Sequence, residues 1–172
     1  MTNLPDFIFA TGTRVLRAAG SMTPVTFENA QEEAKRAGTA VVGLIPFDPE
    51  APAYLFVPER FEEEQIPVPE HSVKLAESIS VTGRRNDAFR TAVATAVERM
   101  KAGELSKIVL SRVLTAHYAP GALDLEALYN NLRSQQRTAF NFAVRLPDGE
   151  RGMKGSYLMG ASPELVFRTE GR

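Results

Sequence analysis

The run from Lys107 to Ala116, Lys-Ile-Val-Leu-Ser-Arg-Val-Leu-Thr-Ala, constrains the fold of this chain more than any other stretch. Its β-branched and apolar residues favour an extended strand. Side chains alternate along a strand, so one face carries Lys107, Val109, Ser111, Val113 and Thr115. The other face carries Ile108, Leu110, Arg112, Leu114 and Ala116. Two interpretations of Lys107 are therefore open. It is either exposed to solvent at the start of a buried strand, which is the ordinary place for a lysine, or it is held beside small and hydroxylated side chains as a catalytic cation.

The composition restricts the class of protein further. The chain has 172 residues, of which 44% are hydrophobic and 24% charged, and this predicts one globular domain with its own core. The net charge of −1 gives no electrostatic reason to expect nucleic acid or an anionic membrane as a partner. The lack of cysteine excludes disulfides, zinc–thiolate sites and thiol nucleophiles, and it is typical of the reducing cytoplasm. No apolar run approaches the roughly 20 residues of a membrane helix, and the amino terminus shows no secretory signal.

Apolar periodicity predicts three helices. The first covers residues 26–38, with acidic residues early, basic residues late and Gly38 as its cap. The second covers residues 86–102, starts at the N-cap Asn86, and carries an apolar stripe expected in the core: Phe89, Val93, Ala96, Val97 and Met100. The third starts at Asp124 and is expected to turn three side chains inward: Leu125, Leu128 and Leu132.

Apolar runs separated by turn residues predict the strands. Besides the run 107–116, the predicted strands are residues 40–47, 54–57, 140–146, 157–160 and 165–167. The segment 7–19 is expected to start as a strand and to become helical after Gly12. The stretch 59–74, with its prolines and acidic run, is expected to be an exposed connection. Strands joined by short turns pair antiparallel, so the expected class is α+β, with helices packed on one side of a mostly antiparallel sheet.

Two further stretches carry a family likeness. Residues 157–168 combine a short strand, a tight Gly-Ala-Ser-Pro corner, and Glu164 at the start of another apolar run. Residues 41–49 read Val-Val-Gly-Leu-Ile-Pro-Phe-Asp-Pro. Together with Lys-Ile-Val-Leu-Ser-Arg at 107–112, these blocks resemble the chorismate-utilising enzymes, and most closely the isochorismate synthases of catecholate siderophore pathways. The resemblance covers residues 40–172 and is more specific than any one short motif.

The resemblance implies a sheet-rich, two-lobed fold with the active site, where chorismate binds, between the lobes. It implies that Lys107 is the general base that activates water for attack at C2 of chorismate. It implies that Glu164 is the general acid that protonates the departing C4 hydroxyl. A lysine can accept a proton near neutral pH only when its pKa is lowered, and a carboxyl can donate one only when its pKa is raised.

Lys107 also bears on which reaction of the family is expected. Relatives that deliver ammonia typically carry glutamine at this position, so the resemblance favours water as the nucleophile. Isochorismate synthases and salicylate synthases share that first step, and salicylate synthases then eliminate pyruvate. The Ile-Pro-Phe-Asp-Pro block at 45–49 favours the siderophore isochorismate synthases, and salicylate synthase stays open as the alternative.

Members of this family are considerably longer than 172 residues. The resemblance implies Mg²⁺ as a cofactor, with its glutamate ligands and the groups that hold the substrate carboxylates in a carboxy-terminal half. Residues 1–172 are therefore expected to be the amino-terminal part of a single catalytic domain, inactive when alone. A different class also stays open, a non-catalytic α+β module derived from the family. In that module Lys107 would mark a strand edge and Glu164 would be a surface carboxylate.

Overall fold

Among the residues that the structure describes, the main sheet has six strands and is antiparallel throughout. The computed structural model describes residues 4–83, 86–147 and 155–164. The strands are β1 (Phe7–Thr11), β2 (Arg14–Val25), β3 (Val42–Leu44), β4 (Tyr54–Gln65), β5 (Ser80–Thr82), β6 (Thr115–His117), β7 (Phe140–Arg145) and β8 (Tyr157–Ser162). The helices are α1 (Ala30–Ala37), α2 (Asp87–Lys101) and α3 (Leu125–Gln135). The main sheet has the order β3-β4-β2-β1-β7-β8, while β5 and β6 form a separate ladder. The expected α+β class with a mostly antiparallel sheet is confirmed.

The chain divides into two units. Unit 1 consists of Met1–Lys74 and Leu125–Arg172, and it contains the six-stranded sheet with α1 and α3. Unit 2 is Leu75–Asp124, and it contains α2 and the ladder of β5 and β6. Unit 2 is therefore an insertion in the chain between β4 and α3.

The first two strands form a hairpin, so the helix expected after Gly12 is wrong. β1 pairs with β2 from Phe7↔Ala18 to Thr11↔Arg14. β2 also pairs with β4 on its other side and passes through a bulge between Ala19 and Met22. Because β2 is hydrogen-bonded along both edges, the ladder outweighs the local helix propensity of its Leu-Arg-Ala-Ala sequence.

β4 continues to Gln65, so the expected exposed connection begins only at residue 66. Glu63 and Glu64 in this half of β4 pair diagonally with arginines of β2. The Nε of Arg14 lies 2.8 Å from Glu63 Oε1, and the Nε of Arg17 lies 3.5 Å from Glu64 Oε2. The hydrogen bond from Arg14 holds the pKa of the Glu63 carboxyl below its usual range. Cross-strand charge pairs of this kind favour a strand where the charge run alone suggested a loop.

Both hairpins predicted from short turns are present. β3 pairs with β4 through Gly43↔Leu55, and β7 pairs with β8 through Phe142↔Gly160. β7 pairs with β1 along its other edge, where Ile8 lies opposite Ala143. The carboxy-terminal hairpin is thus continuous with the centre of the sheet.

α1 is shorter than predicted. Residues 26–29 form a turn in which the Oδ1 of Asn29 accepts a hydrogen bond from Thr26 N at 2.8 Å. The carboxy-terminal cap is as expected, because Gly38 adopts the left-handed conformation with φ 64° that glycine tolerates without strain. The buried side of α1 packs against the small cluster formed by Val25, Leu55 and Val57.

α3 covers the middle of the sheet through Tyr129, which is 1% exposed and packs on Ile8, Val15 and Ala143. The Tyr129 hydroxyl donates a hydrogen bond to Asn141 O at 3.3 Å. Of the three leucines that were expected to face inward, Leu125 packs against this core, and all three are half-buried. The most buried residues of α3 are instead Tyr129, Asn131 and Arg133.

Candidate active site

The segment that carries Lys107 is extended but is not a strand along most of its length. The strand expected over residues 107–116 is limited to β6, which pairs only with β5 among the described residues. A strand needs a neighbour for its backbone N–H and C=O groups, and residues 107–114 have no such ladder in the described part of the chain. This expectation is therefore corrected for residues 107–114.

The alternation of faces expected for residues 107–116 is nevertheless present. Ile108 and Leu110 line a groove against α2, and the Arg112 guanidinium lies 5.4 Å from the centre of the Phe89 ring. The opposite face is bare, with Val109 and Val113 each 80% exposed. Lys107 belongs by alternation to this bare face and is exposed.

The apolar stripe of α2 is not the core that its periodicity predicts. In the structure only Ala96 of the described α2 residues is buried, while Val93, Val97 and Met100 are 38%, 42% and 42% exposed. Ile108 and Leu110 instead face a groove whose α2 wall is a neighbouring side of the helix, with small side chains such as Ala88 and Ala92. The larger residues of the stripe are therefore left without the cover that was expected for them.

Glu164 lies two residues beyond the end of β8 and is exposed. The corner before it is held by Ser162, whose Oγ donates to Glu164 O at 2.9 Å and accepts from Glu164 N at 3.3 Å. The predicted strand 165–167 lies outside the described residues.

The glycine of this motif is required by packing. A Cβ placed on Gly160 would lie 2.6 Å from Cζ of Phe142, its cross-strand partner in β7. The Phe142 ring therefore lies directly over the glycine. At the start of β8, the Tyr157 hydroxyl donates to Leu4 O at 3.0 Å and ties the hairpin to the first described residues. Glu164 thus follows a strand that is fixed at both ends.

The structure places the two predicted catalytic residues in different units. Lys107 lies in unit 2 and Glu164 in unit 1. Neither side chain forms an ion pair within the described residues, so neither is occupied by a structural partner there. Their approach to one another stays a prediction.

A cavity of about 190 Å³ in unit 1 contains neither motif residue. It is lined mainly by apolar side chains, including Phe7, Met22, Phe56 and Val144, with Asp6 and Arg145 beside them. The guanidinium of Arg145 lies 3.3 Å from Asp6 Oδ1, so these two charges are paired with each other.

Buried polar residues of α3 are the features that sequence reasoning missed. Arg133 is 4% exposed, and its Nη2 donates to Gly12 O at 3.3 Å and to Ile66 O at 3.1 Å. Burial lowers the pKa of Arg133. Burial likewise raises the pKa of Tyr129 to about 12. The available signal was the spacing of Tyr129 and Arg133, which are four residues apart and therefore share one helix face.

The described residues do not provide a magnesium site. They contain no group of three or more His, Cys, Asp or Glu side chains close enough to hold a metal ion. Among the same residues, no helix is both long and apolar enough to cross a membrane.

Comparison with known proteins identifies the family. Residues 57–172 match the family described as chorismate binding enzyme. Isochorismate synthase EntC of Escherichia coli K12 is 32% identical over 138 residues, which cover 76% of this chain and 34% of that protein. Isochorismate synthase DhbC of Bacillus subtilis is 30% identical over 153 residues, which cover 83% of this chain and 37% of that protein.

A solved structure gives the same result at the level of the fold. The crystal structure of DhbC from Bacillus anthracis, described as a 2,3-dihydroxybenzoate-specific isochorismate synthase, matches with a TM-score of 0.69 and 30% identity. The match covers 96% of this chain and 46% of that protein, so the chain spans less than half the length of these relatives. With a family match that extends over most of its residues, the chain belongs to the chorismate-binding enzymes.

Proposed function

We propose that the protein carrying this chain is an isochorismate synthase that converts chorismate to isochorismate. The observation that carries the proposal is the presence of both Lys107 and Glu164, each in its motif, in a chain of the chorismate-binding family. The names of the similar proteins EntC and DhbC support the same reaction. We further propose that the product feeds the synthesis of 2,3-dihydroxybenzoate and catecholate siderophores in the cytoplasm.

The proposed reaction needs one base and one acid. Lys107 takes a proton from water as the water oxygen bonds to C2 of chorismate. Both conjugated ring double bonds shift by one position, C1=C2 to C6=C1 and C5=C6 to C4=C5. The C4–O bond breaks with its electron pair on oxygen, and Glu164 gives that oxygen a proton. One water enters and one leaves, so the reaction is an isomerisation. Each of the two proton transfers typically contributes about 10²–10⁴-fold to the rate.

Two features of the described residues support these roles. Neither Lys107 nor Glu164 is engaged in an ion pair there, and a catalytic acid or base has to be free to exchange protons. The corner at Ser162 also fixes the backbone of Glu164, which limits the positions that its carboxyl can reach.

The test uses the protein that joins this chain to the remaining length of its relatives. It is incubated with chorismate and Mg²⁺ in water enriched in oxygen-18, and the products are analysed by chromatography and mass spectrometry. The proposal expects isochorismate with one labelled oxygen, because the incoming hydroxyl derives from solvent. Unlabelled isochorismate would rule out attack by water. Labelled intermediate followed by salicylate and pyruvate would favour the salicylate synthase alternative.

The same assay addresses the non-catalytic alternative. We expect no turnover by residues 1–172 alone, because the motifs assigned in this chain supply an acid and a base but no groups for the substrate carboxylates or magnesium. The protein that joins this chain to the remaining length of its relatives is expected to be active. A joined protein that binds no chorismate and turns over none would favour the non-catalytic module.

A further inference from the structure

Residues 66–74, which connect β4 to unit 2, are held against α3 although they form no strand. Asn131 of α3 pairs with the backbone of Val73 as a neighbouring strand would. Its Oδ1 accepts from Val73 N at 2.7 Å, and its Nδ2 donates to Val73 O at 2.7 Å. Asn131 is 8% exposed and Val73 is 56% exposed, so these bonds are partly buried.

Other side chains hold the same connection at further points. Arg133 Nη2 donates to Ile66 O, and Arg137 Nη1 donates to Pro69 O, each at 3.1 Å. The hydroxyls of Ser72 and Ser134 are 2.8 Å apart. Prolines in the connection lack an N–H and prevent a regular ladder, so the backbone groups that remain need partners from side chains. α3 and the residue shortly after it provide those partners.

The residues that flank unit 2 in the chain therefore belong to α3 or bond to it. The chain enters unit 2 after Lys74, directly beyond Val73, and leaves it before Leu125, the first residue of α3. Asn131 is six residues from Leu125, or about 9 Å along a helix that rises 1.5 Å per residue. Within unit 1, one helix thus holds the backbone on both sides of the segment that carries Lys107.

We propose that Asn131 is a positioning residue for the reaction. By holding Val73 it restrains the backbone at the point where the chain enters the segment that carries Lys107, the proposed base. This role rests on the proposed function. It requires asparagine because the site needs one acceptor and one donor at the spacing of a peptide group. Aspartate keeps the acceptor and the size but loses the donor, whereas leucine loses both.

The first arm of the test measures amide hydrogen exchange by NMR and does not depend on activity. In Asn131→Leu the Val73 amide is expected to exchange at least about tenfold faster than in the parent chain, because it has lost its acceptor. The amides of Ile8 and Ala143, in the sheet, are expected to stay within about twofold. Asn130→Leu is the matched control, because Asn130 is the adjacent residue of α3 and makes no hydrogen bond to residues 66–74 in the described structure.

An unchanged Val73 amide in Asn131→Leu would overturn the proposal. If the amides of Ile8 and Ala143 also exchange faster in Asn131→Leu, the substitution has disturbed the sheet. Asn131→Asp is then the variant that tests the proposal. It has nearly the same shape, and its lost donor is expected to loosen residues 72–74 alone.

The second arm measures steady-state kinetics in the longer protein that converts chorismate. Asn131→Leu is expected to lower kcat at least about tenfold with KM changed less than about threefold, because a displaced base affects the chemical step more than substrate binding. A residue with only a structural role would leave the kcat of the folded fraction unchanged. A kcat within twofold of the parent, together with faster Val73 exchange, would overturn the positioning role and leave the proposed function intact. Lack of conversion by the parent would overturn the proposed function and the positioning role together, and the exchange arm would still decide whether Asn131 holds Val73.

Discussion

At the scale of single residues, the two motif side chains are held in different ways. Glu164 follows a corner whose backbone is fixed by Ser162 and a strand paired along its whole length with β7. Lys107 lies in a segment without a ladder, in which Ile108 and Leu110 line a groove beside α2. The backbone of Glu164 is therefore held by local hydrogen bonds, whereas that of Lys107 has no paired strand beside it among the described residues.

Replacing either catalytic residue tests its role. In the protein that converts chorismate, Lys107→Ala or Glu164→Ala is expected to lower kcat by about 10²–10⁴-fold without changing the melting temperature, because both side chains are exposed. Lys101→Ala and Glu70→Ala are matched controls, since each removes a surface side chain of the same type outside the motifs. A Lys107 or Glu164 variant within a few-fold of the parent rate would assign that residue a structural role.

Gly160→Ala tests the packing requirement in the second motif. The added methyl group would lie 2.6 Å from the Phe142 ring, so the ring has to move, and overpacking of this kind costs about 1–3 kcal/mol of unfolding free energy. Phe142→Leu in the same chain is expected to recover part of that loss. Urea denaturation of the four members of this double-mutant cycle measures the coupling, and additive effects would show that the ring is not the obstacle.

Tyr129 gives a prediction about alkaline pH. Burial raises its pKa from 10.0 to about 12, so the folded state holds the phenol proton more tightly than the unfolded state. The resulting stability is complete below pH 10 and is lost as the pH rises through about 12. The urea midpoint is therefore expected to fall more between pH 9 and 11 in the parent chain than in Tyr129→Phe. Equal falls in the two proteins would contradict the assignment.

At the scale of elements, the sequence predicted most reliably what local signals determine. The α2 N-cap and the Gly38 cap of α1 were predicted from one or two residues and are present, as are the hairpins joined by short turns. The second half of β4 and the strand after Gly12 were missed because their stability comes from neighbours distant in sequence. For the apolar run 107–116 the error was the opposite, since a strand was predicted where most of the run is not one. Its composition favours a strand, but among the described residues only β6 has a partner.

The cap of α2 is the element-scale prediction. Asn86 Oδ1 accepts from Phe89 N at 2.9 Å, which satisfies one of the free N–H groups of the first turn. Because α2 buries little of its surface, its stability relies on such local bonds. Asn86→Ala is expected to lower helix stability by about 1 kcal/mol, and Asn86→Ser by only a few tenths. Exchange rates of the first-turn amides measure the change, and equal rates in the two variants would contradict it.

At the scale of the whole molecule, the division into two units changes what can be inferred about the site. The family that the stretches around Lys107 and Glu164 indicated is confirmed, and the two residues belong to different units. Their relation depends on long-range structure that alternation and propensity do not encode. The polar contacts between α3 and residues 66–74 were not predicted for the same reason. An asparagine in a helix is expected at the surface unless its hydrogen-bond partner is known.

The distribution of exposed apolar side chains leads to a prediction about association. In unit 2, Val109 and Val113 are each 80% exposed, and Val93, Val97 and Met100 on α2 are each about two-fifths exposed. Apolar surface of this extent favours contact with other molecules. Residues 1–172 are therefore expected to self-associate, with a light-scattering mass that rises with concentration.

Val109→Glu is expected to reduce the association because it places a charge on the bare face. Gln136→Glu, which adds the same charge at an exposed site of unit 1, is expected to leave it unchanged. Equal effects of the two variants would show that this face does not mediate association. A mass that stays monomeric across the dilution series would show the same and would strengthen the case for an independent module.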